Sequence, residues 1–166
     1  MYQVGQQVVY GIHGVCKITD VETKIVDRKK IPFFVLEPLS QPGARFYVPA
    51  ENPAALAKLS TLLTQQELTS LLSSVEKSKK AWVPDENRRK LRFRELLSSG
   101  DRKAILEMIC ALQIHKAEQA EKGKKFHLCD ENFLHDAEKM LCSEFSLVME
   151  KSQKESMDYL YEYYEF

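Results

Sequence analysis

Apolar residues repeat with one period over roughly the first third of this 166-residue chain and with another over the rest. Up to about residue 50 they come in short runs broken by turn residues. Val8, Val9 and Tyr10 follow Gly5, and Gly11 to Gly14 supply the next turn. The run VCKITDVETKIV is long and β-branched, but Cys16 and Ile18 lie in one alternating phase and Val21 and Ile25 in the other. A strand repeats every two residues, so both sets cannot face one core without an inserted residue. A bulge or bend is therefore predicted near Thr19 or Asp20. Asp27 to Lys30 read as a polar turn. IPFFVLEP is the next strand, with Pro32 favouring an edge or a strand start because it lacks a ladder donor. Gln41, Pro42 and Gly43 turn the chain into ARFYVPA, which Pro49 ends. Four or five short strands with no helix between them predict a small antiparallel barrel of Tudor-like or SH3-like size.

From Asn52 the period becomes helical. Thr64 and Glu67 form a capping box ahead of Leu68, Leu71, Leu72 and Val75. SVEKSKKAW reads as a polar connector. Pro84 and Asp85 then open an arginine-rich helix, which Ser99 and Gly100 stop, and Asp101 caps the next. That helix carries Ile105, Ile109 and Leu112 and ends near Gly123. Another carries Phe133, Leu134, Ala137, Leu141, Phe145 and Val148. In the tail, Met157, Leu160, Tyr161 and Tyr164 fit a short amphipathic helix docked on the bundle. The expected class is α+β, with a Tudor-like domain over 1–55 and a compact helical domain over 56–166.

Charge sharpens this picture locally. The chain carries 24 basic and 24 acidic residues, yet from Lys77 to Lys103 ten basic residues face only four acidic ones. On a helical projection Phe93, Leu96 and Leu97 share one face, with Arg88 and Arg92 on one flank and Lys90 and Arg94 on the other. Like charges one turn apart cost a helix a few tenths of a kcal/mol per pair, so this arrangement points to an anionic partner. The plainer reading is a solvated face whose long stems cover apolar surface. From Phe126 onward ten acids outnumber three lysines.

Other chemistries find little support. No segment approaches the roughly 20 apolar residues of a membrane span, and the start MYQVGQQVVYG lacks the basic and apolar stretches of a secretory signal. A cytoplasmic protein is expected. Cys16, Cys110, Cys129 and Cys142 form no C-x-x-C pair, so they read as reduced thiols. His127, Cys129, His135 and Cys142 mix ligand types without the spacing of a structural zinc site. Neither a metal nor a cofactor is expected. With no nucleophile elbow or phosphate loop, the chain does not read as an enzyme acting on a small-molecule substrate. His13 is expected to shape the Gly11 to Gly14 turn, and His115 to lie on a partly exposed helix face.

GQQVVYGIHGVCKI resembles the G-D-x-V-V-Y-P-x-H-G-V-x-x-I opening of the CarD/CdnL group of bacterial transcription regulators. VPAEN at 48 to 52, Trp82 ahead of an arginine-rich helix, LSSGD at 97 to 101 and AEKML-x-x-EF from Ala137 are similar in the same order. The resemblance implies a Tudor-like domain that binds the β subunit of RNA polymerase and a helical domain that touches promoter DNA, stabilising the open complex. It further implies that Trp82 is an exposed minor-groove wedge, with Arg88, Arg89, Lys90, Arg92 and Arg94 on DNA and Lys24, Arg45 and Tyr47 on polymerase. Three features depart from the pattern. VPDEN separates Trp82 from Arg88, Tyr47 stands where an arginine is common, and Gly11 replaces the usual proline. A monomer is expected. The alternative is a protein-binding adaptor with a Tudor-like barrel and no DNA role.

Overall fold

The clash of phases between Ile18 and Val21 resolves as a bulge. In the computed structural model, which describes residues 1–166, β2 (Val15–Val26) pairs antiparallel with β3 (Lys29–Pro38). Ile18 stands opposite Leu36 but Asp20 opposite Val35, leaving Thr19 as the extra residue. Its hydroxyl donates to the Val35 carbonyl at 3.3 Å. The inserted residue shifts the phase, so that Val21 stands opposite Phe34 on the face where Ile18 meets Leu36, but only Cys16 and Ile18 are fully buried there and Val21 and Ile25 stay exposed. Asp27 and Arg28 close the hairpin, both at positive φ (50° and 63°), as a two-residue turn between twisted strands requires.

β1 (Gln7–Tyr10) reaches β2 through the short 3-10 turn Gly11–His13, and β4 (Phe46–Pro49) pairs with β3. A single-turn helix α1 (Pro53–Leu56), capped by Asn52, then leads to β5 (Leu59–Thr61), which pairs with β1. The antiparallel order is β4-β3-β2-β1-β5. Val8, Cys16, Ile18, Leu36, Val48 and Leu59 form its core. The strand at 59–61 is absent from the sequence-based expectation, because three residues with one apolar side chain show no period. Its ladder carries the first compact unit to Leu62.

The second unit, Leu63–Phe166, is helical: α2 (Gln65–Ser74), α3 (Glu86–Ser99), α4 (Arg102–Glu121), α5 (Leu128–Val148) and α6 (Gln153–Tyr164). Thr64 and Ser152 close capping boxes, and Asp85 and Asp101 cap α3 and α4 by accepting the Arg88 and Ala104 N–H groups. Gly100 ends α3 in the left-handed conformation at φ 68°, which only glycine adopts without strain. Phe93, Leu96 and Leu97 pack with Ile105, Ile109, Leu141 and Phe145 in one core. The tail docks as expected, burying Leu160 and Tyr164, whose hydroxyl donates to the Leu72 carbonyl at 2.8 Å. Inside this core Glu144 accepts from Arg102 at 2.7 and 2.8 Å and from the Leu63 N–H at 2.8 Å. The chain is thereby fixed where it enters the helical unit.

Candidate functional site

The outward side of α3 carries the charge noted in the sequence. Arg88, Arg92 and Arg94 are exposed and Lys90 is half-buried. Lys90 binds Glu86 one turn earlier at 2.5 Å, and Arg92 approaches Glu95 at 3.7 Å. Arg88 and Arg94 have no carboxylate within 4 Å. An exposed arginine without a carboxylate partner keeps its full set of donors for an anion.

Arg89 is placed otherwise. It is 4% exposed, and its guanidinium meets the fully buried Asp130 of α5 in a two-pronged ion pair at 2.8 and 3.0 Å. Its Nη1 also donates to the Val83 and Pro84 carbonyls at 3.0 and 3.2 Å. Four of the five guanidinium N–H groups are thus engaged inside the protein. Arg89, expected with the DNA-contacting cations, instead stands one turn before Phe93 on the buried face of α3.

Trp82 departs from expectation through the same contact. The Arg89 guanidinium carbon lies 4.3 Å from the centre of its ring, and His115 of α4 stacks on it at 3.8 Å with 23° between planes. The indole is half-buried and packs on the helical core. The ring expected to be exposed is half-buried, in cation–π contact with Arg89 and stacked with His115. Lys79, 5.3 Å from the indole centre, binds Glu118 at 2.6 Å and lies 3.5 Å from His115 Nδ1. The connector before α3 is therefore tied to α4 at two points. His115 and Asp130 are the contributors that the sequence reading missed, because their partners are distant in the chain.

In the first unit, Lys24, Arg45 and Tyr47 come together on the β2-β3-β4 side of the sheet. The Lys24 ammonium lies 3.1 Å from the centre of the Tyr47 ring and 5.9 Å from that of Phe33. Arg45, just before β4, reaches Glu22 at 3.7 Å and remains largely exposed. Tyr47 is 37% exposed. A cation over an accessible aromatic ring, with the largely exposed Arg45 just before the same strand, makes a surface suited to a protein partner with acidic and apolar groups. His13 lies in its turn with its ring 4.0 Å from that of Phe46.

A family model described as the CarD-like/TRCF RID domain matches residues 2–60. Residues 2–60 are thus similar to a CarD-like/TRCF RID domain. This CarD-like domain is an RNA polymerase-interacting module, a protein-binding class of domain. The match covers nearly all of the sheet unit, α1 included, and stops before α2. No curated protein matches the chain, and no helix is long and apolar enough to cross a membrane.

The stack on Trp82 carries a pH signature. Burial, and after it the Lys79 ammonium, hold His115 below its ordinary value of 6.5. Asp130 and Glu118 pull the other way, while Arg89 adds to Lys79. The unfolded chain therefore binds the proton more readily than the folded one. Stability contributed by neutral His115 is complete above its unfolded value and is lost as pH falls through the window below it. Urea unfolding of the second unit at about pH 7.5 and about pH 5.5 is expected to show this loss, reduced in His115→Gln. An equal pH dependence in the variant would contradict the assignment.

Proposed function

We propose that this protein is a non-enzymatic transcription regulator. Its CarD-like domain binds the β subunit of bacterial RNA polymerase, its helical unit contacts promoter DNA through α3, and the joint contact stabilises the open complex. The observation that supports this most strongly is the presence, in one chain, of a polymerase-interacting domain and a helix whose free arginines, Arg88 and Arg94, point outward with Arg92 beside them. Phosphate contacts of this kind position a protein on a duplex without reading sequence. Location along the DNA then comes from tethering to polymerase, which raises the effective concentration of the helical unit at the promoter. Trp82 supports α3 from behind in this scheme.

The covered Trp82 ring favours a second reading, a protein-binding adaptor whose basic helix is merely solvated. Titration with duplex DNA at increasing salt separates the two. Each phosphate neutralised by Arg88, Lys90, Arg92 or Arg94 contributes about −0.9 to the slope of log affinity against log salt. A regulator gives a slope of several times that value, whereas a flat response sinks the DNA role and leaves the adaptor.

The polymerase contact has its own test. The double substitution Lys24→Glu and Arg45→Glu removes the cation–π contact with Tyr47 and the pair with Glu22, so folding is expected to lose about 1–2 kcal/mol without being abolished. Affinity for the β subunit is expected to fall about tenfold or more, as for charges facing a complementary surface. Unchanged affinity in the folded double variant removes these residues from the interface.

A further inference from the structure

The aromatic, acid-rich tail forms α6, and the function proposed above gives its outward face no role. The buried stripe of α6 is Ser156, Leu160 and Tyr164. At about 100° per residue, Glu155, Asp158 and Glu162 lie roughly 160–220° round the helix from Leu160, so they form one row opposite the core. All three are exposed, and none has a lysine or arginine nitrogen within 4 Å. Tyr159 and Tyr163 stand one turn apart along the flank of that row, 38% and 44% exposed, with ring centres 6.4 Å apart. These rings already attract cations: the Lys151 ammonium lies 5.3 Å from the centre of Tyr159. The face thus sets an aromatic ridge beside unpaired carboxylates. A surface that combines cations with an apolar group fits it.

Acid rows and exposed tyrosines are common on solvated helices and by themselves identify no partner. The complementary surface, however, is on this same chain. The outward face of α3 centres on Leu91, 59% exposed, with Arg88 and Arg94 about 60° to either side and without carboxylate partners. Along their axes the two arginines are about 9 Å apart and Glu155 and Glu162 about 10 Å apart, at 1.5 Å per residue. α3 and α6 pack on one core, through Phe93 and Leu96 and through Leu160 and Tyr164. Their outward faces point away from that core, so they meet between two molecules and not within one. With 24 basic and 24 acidic residues in the chain, no net repulsion opposes the approach. We infer that α6 of one copy docks on α3 of a second copy, with Leu91 against the Tyr159 and Tyr163 ridge and the arginines on the acid row. Two helix faces make a small interface, so the contact is weak and reversible. Each copy in a pair keeps one α3 and one α6 free, and association extends head to tail. Because the contact covers Arg88 and Arg94, self-association competes with DNA for α3. Only that competition rests on the DNA-contacting reading above.

Sedimentation of the full chain from micromolar to near-millimolar concentration tests the contact. The parent is expected to gain mass with concentration, past that of a dimer, and to lose the gain as salt rises from about 0.05 to about 0.5 M. Two double variants, Asp158→Lys with Glu162→Lys and Arg88→Glu with Arg94→Glu, are expected to keep thermal midpoints close to the parent's, since all four side chains are exposed. Each alone is expected to self-associate about tenfold more weakly or worse. Each also retains the face that the other has lost, so mixing them is expected to restore association. A parent that stays monomeric at every concentration, an association that survives both pairs of substitutions, or a mixture that stays monomeric overturns the assignment. A lysine-rich peptide that binds such a monomer at Tyr159 and Tyr163 gives the α6 face to another protein and overturns it equally. Duplex DNA is expected to dissolve the assembly. If duplex leaves it intact, the DNA-contacting reading fails and the contact stands. If the parent is monomeric yet binds duplex with the salt dependence given above, the contact fails and that reading stands.

Discussion

The buried ion pair between Arg89 and Asp130 is the contact on which the arrangement of the helical unit most depends. A guanidinium removed from water is tolerated only when charge and donors are both satisfied, and Arg89 meets that condition with one carboxylate and two backbone carbonyls. Those partners lie on α5 and on the connector at Val83 and Pro84. One side chain therefore fixes the start of α3 against two other segments. It also makes a cation–π contact with Trp82, which stacks with His115. With Arg89 neutralised within, the cations that remain on α3 lie outside, around Leu91.

This division of one basic cluster into a structural charge and several free ones gives the functional reading its physical content. Surface arginines without carboxylate partners attract phosphate at long range and lose that attraction as salt rises. Such contacts are weak and unselective alone. They gain direction when a separate module of the same chain binds polymerase, because the second contact is then made at high local concentration. In the proposed function the CarD-like domain supplies that module. Acid-rich sequence from Phe126 onward, the part that contains α5 and α6, keeps the whole chain electrically neutral despite the charge of α3.

Much of the fold was legible in the residues, and the exceptions have definite causes. The phase break in β2 announced the bulge at Thr19, because a two-residue period cannot bring Ile18 and Val21 to one face without an inserted residue; that Val21 would stay exposed there was not legible. Capping residues announced the starts of α2, α3 and α4. The strand at 59–61 was not legible, since its pairing with β1 is a long-range contact and its three residues have no pattern. At the candidate site, the outward phase of Arg88, Arg92 and Arg94 followed from helical spacing. The burial of Arg89 was available from the same spacing, four residues before Phe93, but its partner Asp130 was not. The surroundings of Trp82 were hidden for a related reason: its contacts with Arg89 and with His115 of α4 depend on chain segments that no local pattern brings together. The VPDEN segment, which lets the chain fold Trp82 back toward α4, was the visible sign that this chain departs from the pattern it resembles.

The claim that Arg89 is a structural clamp and no phosphate ligand is tested most directly by urea unfolding of Arg89→Met alone and combined with Asp130→Leu. Removing one partner leaves a buried charge unpaired, so the single variant is expected to lose about 3–5 kcal/mol, and the double variant, with the pair replaced by apolar groups of similar size, to regain most of it. A single variant that unfolds within about 0.5 kcal/mol of the parent, while its DNA affinity loses about 0.9 of salt slope, would contradict the account and return Arg89 to the DNA-contacting face.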